Sequence, residues 1–152
     1  MNRIIPPVFV FAIAIAAIYG VNDLIDFGKT DSFRLLRYLL AMICFIGAGI
    51  FGIFALWAFK KASTTVNPVD VSKASTVVSG GVFRFSRNPM YLGLVLLLLC
   101  YSLYIGNIWG VFISWLFVLY MNRFQILPEE QAMTRKFGQD YLEYKSRVRR
   151  WI

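Results

Sequence analysis

Residues 91–121 read YLGLVLLLLCYSLYIGNIWGVFISWLFVLYM, and this apolar stretch decides the fold. It is too long for one ordinary membrane-spanning helix of about 17–25 residues. Gly106-Asn107, a turn signal, stands near its middle. We therefore predict two short helices joined as a hairpin. Each arm of about 15 residues reaches about 22 Å, less than the ~30 Å hydrocarbon core of a bilayer, so we expect local membrane thinning or a shallow turn.

Two further apolar runs precede the hairpin, at residues 4–20 and 35–59. Of the 152 residues, 59% are hydrophobic and 16% are charged, whereas about a quarter of the residues of a globular domain are charged. We predict an all-α integral membrane protein with about four transmembrane helices, the last two forming the short hairpin, followed by cytoplasmic C-terminal helices. A cleaved signal peptide is the alternative interpretation of the first run, because the run contains several small alanines.

The apolar runs also suggest a division of the chain. Residues 1–61 are predicted to form a two-helix membrane anchor, and residues 62–152 a functional core made of a polar loop, the hairpin and the C-terminal helices. In the second run, Gly47, Gly49 and Gly52 form a small surface together with Ala48. Small residues at this spacing predict close packing of one membrane helix against another.

Lys and Arg are distributed unequally between the two sides of the predicted membrane protein. With four spans, 13 of them lie on the side of the termini and the middle loop, and three, Lys29, Arg34 and Arg37, lie on the other. The positive-inside rule then places both termini in the cytoplasm, for example at a bacterial or archaeal inner membrane. We attribute the net charge of +8 to contact with anionic membrane lipids, not with nucleic acid.

The chain has no His, which excludes the commonest general base and the usual His-based zinc and haem sites. Cys44 and Cys100 stand singly inside apolar runs and resemble ordinary buried hydrophobic residues. No metal site is expected, and any chemistry has to proceed without imidazole.

The polar tail is predicted to contain two helices. Pro128 suits the first position of a helix, and Glu129 and Glu130 then lie in its first turn, where the helix dipole favours carboxylates. Gly138 should end this helix, and a second helix should start at Asp140. The second helix is interpreted as an amphipathic anchor on the membrane surface.

Four charged residues are expected to meet at the membrane surface. Arg87 precedes the first arm of the hairpin and Arg123 follows the second, so an antiparallel hairpin brings them together. Glu129 and Glu130 follow within one or two helical turns. Charges at this depth are costly unless they are paired or used, which makes the cluster a candidate site. Purely structural ion pairing stays open as the alternative.

Longer motifs carry a more specific signal: GVFRFSRNPMYLG at residues 81–93, PEE at 128–130 and FGQDYLEY at 137–144. From about residue 62 onward, the chain resembles the isoprenylcysteine carboxyl methyltransferase and phospholipid methyltransferase superfamily. The superfamily pattern runs Gly-x-Tyr, Arg-His-Pro-x-Tyr-x-Gly, an apolar hairpin, Glu-Glu and Phe-Gly-x-x-Tyr-x-x-Tyr. Its members are small integral membrane enzymes that use S-adenosylmethionine. The resemblance implies this cofactor and a methyltransferase core over residues 62–152.

The resemblance also implies which residues form the site. Asn88 stands where the superfamily has His, and Phe83 where it has Tyr, so a hydrogen-bonding side chain is kept at the first position and a hydroxyl is lost at the second. The implied cofactor-binding residues are Ser75, Thr76, Val77, Val78, Phe83, Arg87, Asn88, Pro89, Met90, Tyr91 and Glu129. The implied catalytic residues are Arg123, which would orient the substrate, and Glu130. Alignment on the glutamate pair instead places Gln125 where the prenylcysteine enzymes have the substrate arginine.

These residue types suit a sulfonium cofactor with a zwitterionic methionine end, since they offer a carboxylate for its ammonium and Arg87 and Asn88 for its carboxylate. The expected partners are membrane lipids and a lipidic or hydrophobic acceptor, which would enter between the hairpin arms near Gly93. The preferred acceptor atom is a carboxylate oxygen, as in isoprenylcysteine O-methylation, and a thiol sulfur or an amine nitrogen is the less favoured alternative. A sterol-type NADPH-dependent membrane reductase and a non-enzymatic membrane scaffold are the alternative functions.

Overall fold

The computed structural model describes residues 5–29, 32–62 and 76–152, and within these ranges the regular structure is helical. In chain order the α-helices are α1 (Pro7–Leu24), α2 (Arg34–Lys61), α3 (Pro89–Ile105), α4 (Ile108–Tyr120), α5 (Leu127–Phe137) and α6 (Gln139–Arg147). A 3₁₀ turn, Gly81–Arg84, precedes α3, and a π-helical segment, Met121–Ile126, joins α4 to α5. The all-α membrane fold predicted from the sequence is confirmed.

The predicted hairpin turn lies at Gly106-Asn107. Gly106 ends α3 in the left-handed conformation, with φ 72°, which glycine adopts without steric cost. The Asn107 side chain then accepts a hydrogen bond of 2.9 Å from the backbone N–H of Trp109 and so caps α4. At the start of α3, Pro89 occupies the first turn, where its missing N–H costs nothing.

The second arm of the hairpin is longer than predicted. Helical structure continues from α4 through the π-helical segment into α5, so Pro128 does not begin a separate helix. The N–H of Leu127 donates to the carbonyl of Asn122, five residues earlier, which is the wider π pattern. The wider turn allows the helix to continue through Pro128, which has no N–H to donate to a helical hydrogen bond. Within the described residues, three helical stretches are long and apolar enough to cross a membrane, Pro7–Leu24, Arg34–Lys61 and Ile108–Phe137, and α3 is a shorter apolar helix.

The connections between helices gather at two opposite ends of the bundle. At one end, the loop after α1 contacts the hairpin turn: the Ile108 N–H donates to the Gly28 carbonyl at 3.1 Å, and Trp109 Nε1 donates to the Phe27 carbonyl at 3.0 Å. At the other end, the Arg87 N–H donates to the Arg149 carbonyl at 3.1 Å. The described part of the loop before α3 and the C-terminal tail therefore share one end, as predicted, while the cytoplasmic position of that end stays a prediction.

Helices α2 and α3 approach closely because small residues face each other. A Cβ atom added to Gly93 would lie 3.3 Å from the Ala48 carbonyl oxygen and 3.5 Å from the Gly52 nitrogen, and one added to Gly47 would lie 3.2 Å from Leu96. The predicted close packing is found at Gly47, Ala48 and Gly52, whereas Gly49 does not take part, because a Cβ atom added there would meet nothing within 4 Å. Gly93 faces α2, so it does not line an open passage between the hairpin arms. The anchor boundary at residue 61 stays a prediction.

Helix α6 packs on the protein through two tyrosines, in place of the predicted membrane-surface anchor. Tyr141 and Tyr144 are buried in an apolar cluster with Ala55, Val82 and Phe83. The Tyr144 hydroxyl donates to the Phe83 carbonyl at 2.8 Å. Burial also raises the pKa of Tyr141 to about 12. The basic residues that follow α6 are thereby directed back toward the loop before α3.

Replacing Gly93 with Leu is expected to destabilise the fold by about 1–3 kcal/mol, because the new side chain would force α2 and α3 apart. Gly49→Leu is the matched control, since a Cβ atom at Gly49 meets nothing within 4 Å. Thermal unfolding of both variants in the same detergent measures the difference. Equal unfolding midpoints for the two variants would show that the α2–α3 contact does not limit stability.

Candidate functional site

The polar end of the bundle is organised around the buried carboxylate of Glu130. Arg87 Nη2 lies 2.8 Å from Glu130 Oε1. Arg150 donates from Nε to Oε1 at 3.1 Å and from Nη2 to Oε2 at 2.9 Å. Lys145 Nζ completes the cluster at 3.6 Å from Oε2. Both carboxylate oxygens are therefore engaged by cations, and the Glu130 side chain is only 5% exposed.

The three cations reach Glu130 from different parts of the chain. Arg87 lies directly before α3, Lys145 lies on α6, and Arg150 follows α6, whereas Glu130 is in the first turn of α5. The hydrogen bonds to Glu130 raise the pKa of Arg150 and keep it charged. Arg87 Nη1 additionally donates to the Lys145 carbonyl at 3.2 Å. One carboxylate thus connects the loop before α3, helix α5 and the residues after α6.

Residues 149–151, here called the 149–151 segment, run along the loop before α3. The Arg150 carbonyl accepts hydrogen bonds from Asn88 Nδ2 at 3.0 Å and from the buried Ser86 hydroxyl at 3.3 Å. Trp151 Nε1 donates to Asn122 Oδ1 in the π-helical segment at 3.0 Å. The segment is thereby attached both to the start of α3 and to the end of the hairpin.

Glu129 has a different environment from its neighbour. Its carboxylate accepts a hydrogen bond of 2.6 Å from the Tyr91 hydroxyl and a second one from Gln125 Nε2. Both donors are neutral, and no Lys or Arg of the described ranges forms an ion pair with this carboxylate. Consecutive residues of a helix point about 100° apart, which explains why Glu130 faces the cations and Glu129 faces α3.

An apolar surface lies beside these two carboxylates. Phe83 is buried, and its ring meets Phe59 edge-on with the ring centroids 5.2 Å apart. Val77, Val78 and Met90 pack against the same cluster as Tyr141 and Tyr144. Thr76 is exposed, and Pro89, the first residue of α3, is fully buried.

The structure brings together most, but not all, of the predicted site residues. Arg87, Asn88, Tyr91, Glu129 and Glu130 share one end of the bundle through the contacts above. Arg123 is exposed and, within the ranges that the structure describes, makes no hydrogen bond or ion pair, so it does not join Arg87 as predicted. Ser75 lies outside the described residues.

Four residues of the site were not predicted as part of it: Lys145, Arg150, Trp151 and, as a partner of Glu129, Gln125. The sequence analysis attributes the net positive charge, to which Lys145 and Arg150 contribute, to contact with membrane lipids. The sequence does not show that these two cations meet Glu130, because they lie outside the helix that bears Glu130. Gln125 stands four residues before Glu129, the spacing at which helical side chains meet, so this pair was detectable.

The free polar atoms of the site fit a zwitterionic amino-acid group such as the methionine end of S-adenosylmethionine. Arg87 Nε is buried and has no hydrogen-bond partner among the described residues, so it can donate to a carboxylate. Glu129, which lacks a cationic partner in the same part of the chain, can accept an ammonium. An isolated buried donor is costly, and a ligand would remove that cost.

Comparison with known proteins identifies the family. The model of the family described as "Phospholipid methyltransferase" matches residues 36–140, which is more than half of the chain. The chain belongs to the phospholipid methyltransferase family, and its general class is that of membrane methyltransferases. An uncharacterized protein of Haemophilus influenzae is 45% identical over 67 residues, covering 41% of this chain and 100% of the relative. No solved structure gives a significant match.

Replacing Glu130 with Gln is expected to lower the free energy of unfolding by about 3 kcal/mol, because the buried Arg87 and the half-buried Arg150 lose the charge that compensates them. Glu129→Gln, the same chemical change one residue earlier, should cost about 1 kcal/mol or less, since only neutral donors are affected. Denaturant unfolding followed by tryptophan fluorescence measures both. A larger loss for Glu129→Gln would contradict the assignment of the structural carboxylate to Glu130.

Proposed function

We propose that the protein transfers the methyl group of S-adenosylmethionine to a hydrophobic acceptor held in the membrane. The observation that carries this proposal has two parts. The Glu129 carboxylate has no cationic partner in the described chain, and Arg87 Nε is buried without a hydrogen-bond partner there. Family membership supports the same class of reaction.

In this proposal each part of the site binds one part of the cofactor. Glu129 would hold the ammonium group, with Tyr91 and Gln125 fixing its orientation. Arg87 and Asn88 would hold the carboxylate. The adenine would contact the apolar surface around Phe83, Val77, Val78 and Met90 that the resemblance implies as cofactor-binding.

In this proposal Glu130 positions Arg87. This role replaces the catalytic role that the resemblance implies for Glu130. Its two oxygens already accept from Arg87 and Arg150 and lie near Lys145. A carboxylate engaged in this way has little capacity to take a proton or a further ligand. It fixes the direction of the Arg87 guanidinium instead, which places the donor for the cofactor.

When bound, S-adenosylmethionine would supply a methyl group on a positively charged sulfur, which an acceptor placed in line with the methyl carbon–sulfur bond would take as that bond breaks. The chain has no His, so an acceptor that is already ionised is favoured. A carboxylate needs no base, and its reaction neutralises two opposite charges, which a site excluding water promotes. The exposed Arg123, which the resemblance implies as the substrate-orienting residue, would orient such an anion.

A lipid amine is the second candidate acceptor, and it is favoured by the description of the matched family as phospholipid methyltransferases. An amine would have to lose a proton to become nucleophilic. The two acceptors therefore differ in whether the site must also supply a base.

Purified protein in nanodiscs is expected to bind S-adenosylmethionine saturably in calorimetric titration. Glu129→Gln should raise the dissociation constant tenfold or more, since a charge-assisted hydrogen bond to the ammonium contributes about 1.5–3 kcal/mol. Glu143→Gln, the same change at an exposed position on α6, is the control and should leave the affinity unchanged.

Two results would overturn the cofactor assignment. Folded wild-type protein that binds no S-adenosylmethionine would favour the scaffold function. Binding of NADPH in its place would favour a reductase.

The acceptor is to be identified by incubating the nanodisc-held protein with methyl-labelled S-adenosylmethionine and two substrates, a prenylated cysteine and phosphatidylethanolamine. Methylation of the carboxylate gives an ester, so alkali should release the label as volatile methanol. Methylation of the amine gives label that alkali does not release. Alkali-stable label in the phospholipid would contradict the preferred carboxylate acceptor, and the absence of label in both substrates would contradict the proposed range of acceptors.

A further inference from the structure

Residue Arg150 links the two polar segments of the site through both its side chain and its backbone. The guanidinium binds both oxygens of Glu130 on α5, and the carbonyl of the same residue accepts from Ser86 and Asn88 before α3. Arg150 lies after residue 140, where the family match ends. Neither the sequence motifs nor the family comparison assigns it a role.

The linkage has a direct geometric consequence for the site. Glu129 lies next to Glu130 on the first turn of α5, and Arg87 lies next to Asn88 and Ser86. Because Arg150 holds both Glu130 and Asn88, it fixes the distance between the Glu129 carboxylate and the Arg87 guanidinium. These two groups are the ones assigned above to the opposite charges of the cofactor's amino-acid end.

We propose that Arg150 is a positioning residue for cofactor binding, which sets the spacing between Glu129 and Arg87 by holding Glu130 with its guanidinium and Asn88 with its carbonyl. The proposal rests on the proposed function. It makes Arg150 important for affinity toward S-adenosylmethionine, and not for the methyl-transfer step, because Arg150 acts on the residues that hold the amino-acid end of the cofactor and not on its methyl group.

Arginine is suited to this position for a physical reason. Its planar guanidinium binds a carboxylate through two parallel hydrogen bonds and so fixes direction as well as distance. A lysine at the same place would supply the charge through a single flexible ammonium. A lysine at position 150, which keeps only the charge, should therefore retain only part of the affinity for S-adenosylmethionine.

The test compares Arg150→Gln, Arg150→Lys and Arg149→Gln by calorimetric titration with S-adenosylmethionine. Arg149→Gln is the matched control, since it removes the same charge from the neighbouring, exposed side chain and keeps its backbone carbonyl. Arg150→Gln is expected to raise the dissociation constant about tenfold or more, Arg150→Lys to give an intermediate value, and Arg149→Gln to match wild type.

Kinetics separate positioning from general damage to the fold. For Arg150→Gln we expect a higher KM for S-adenosylmethionine, with kcat at saturating cofactor and KM for the acceptor within about twofold of wild type. Adding Arg150→Gln to Glu130→Gln should change the dissociation constant little beyond the effect of Glu130→Gln alone, because the Arg150 side chain acts through its contact with Glu130.

Each failure has its own signature. Wild-type protein that binds no S-adenosylmethionine overturns the proposed function. Wild-type protein that binds it, together with an Arg150→Gln variant of equal affinity, overturns the positioning role and leaves the proposed function intact. A fall in apparent kcat in proportion to lost folded protein with both KM values unchanged, or an effect equal to that of Arg149→Gln, also overturns the positioning role.

Discussion

The polar end of this membrane protein depends on one carboxylate, Glu130, held among three cations. Burying any of these charges alone would be costly, and the geometry offsets that cost by giving each carboxylate oxygen more than one cationic neighbour. The chain segments that bear the cations cannot separate without exposing a charge to a poorly solvated site. The loop before α3, helix α5 and the residues after α6 are therefore mutually dependent, and the rest of the site is arranged around them.

Two consecutive glutamates serve different purposes because the helix turns between them. Glu130 faces cations and holds the structure together, whereas Glu129 faces the neutral donors Tyr91 and Gln125 and keeps its capacity for a cationic ligand. The π-helical segment before α5 contributes to this arrangement, since its extra residue per turn changes the direction in which the following side chains point. Local helix geometry thus distributes a structural role and the proposed binding role over adjacent positions.

The sequence predicts those parts of the molecule that depend on local signals. The hairpin turn at Gly106-Asn107 and the packing of Gly47 and Gly52 follow from residue chemistry at fixed spacing. The proximity of Arg87 to the glutamate pair follows from the topology of a hairpin. The contact of Arg150 does not, because it depends on how α6 packs, and a helix with tyrosines on one face can lie equally well on lipid or on protein. The continuation of the hairpin into α5 was missed because Pro128 ordinarily starts a helix.

The short length of α3 has an energetic consequence for a lipid substrate. With 17 residues, α3 spans about 25 Å, roughly 5 Å less than the hydrocarbon core of an ordinary bilayer. Deforming the bilayer to match costs fractions of a kcal/mol per Å, whereas lifting an acyl or prenyl chain into water costs about 0.8 kcal/mol for every methylene exposed. A thinner bilayer beside α3 would let the proposed acceptor present its reactive end while its hydrocarbon chain stays in the membrane. The cost would then be that of deforming the bilayer and not that of extracting the lipid.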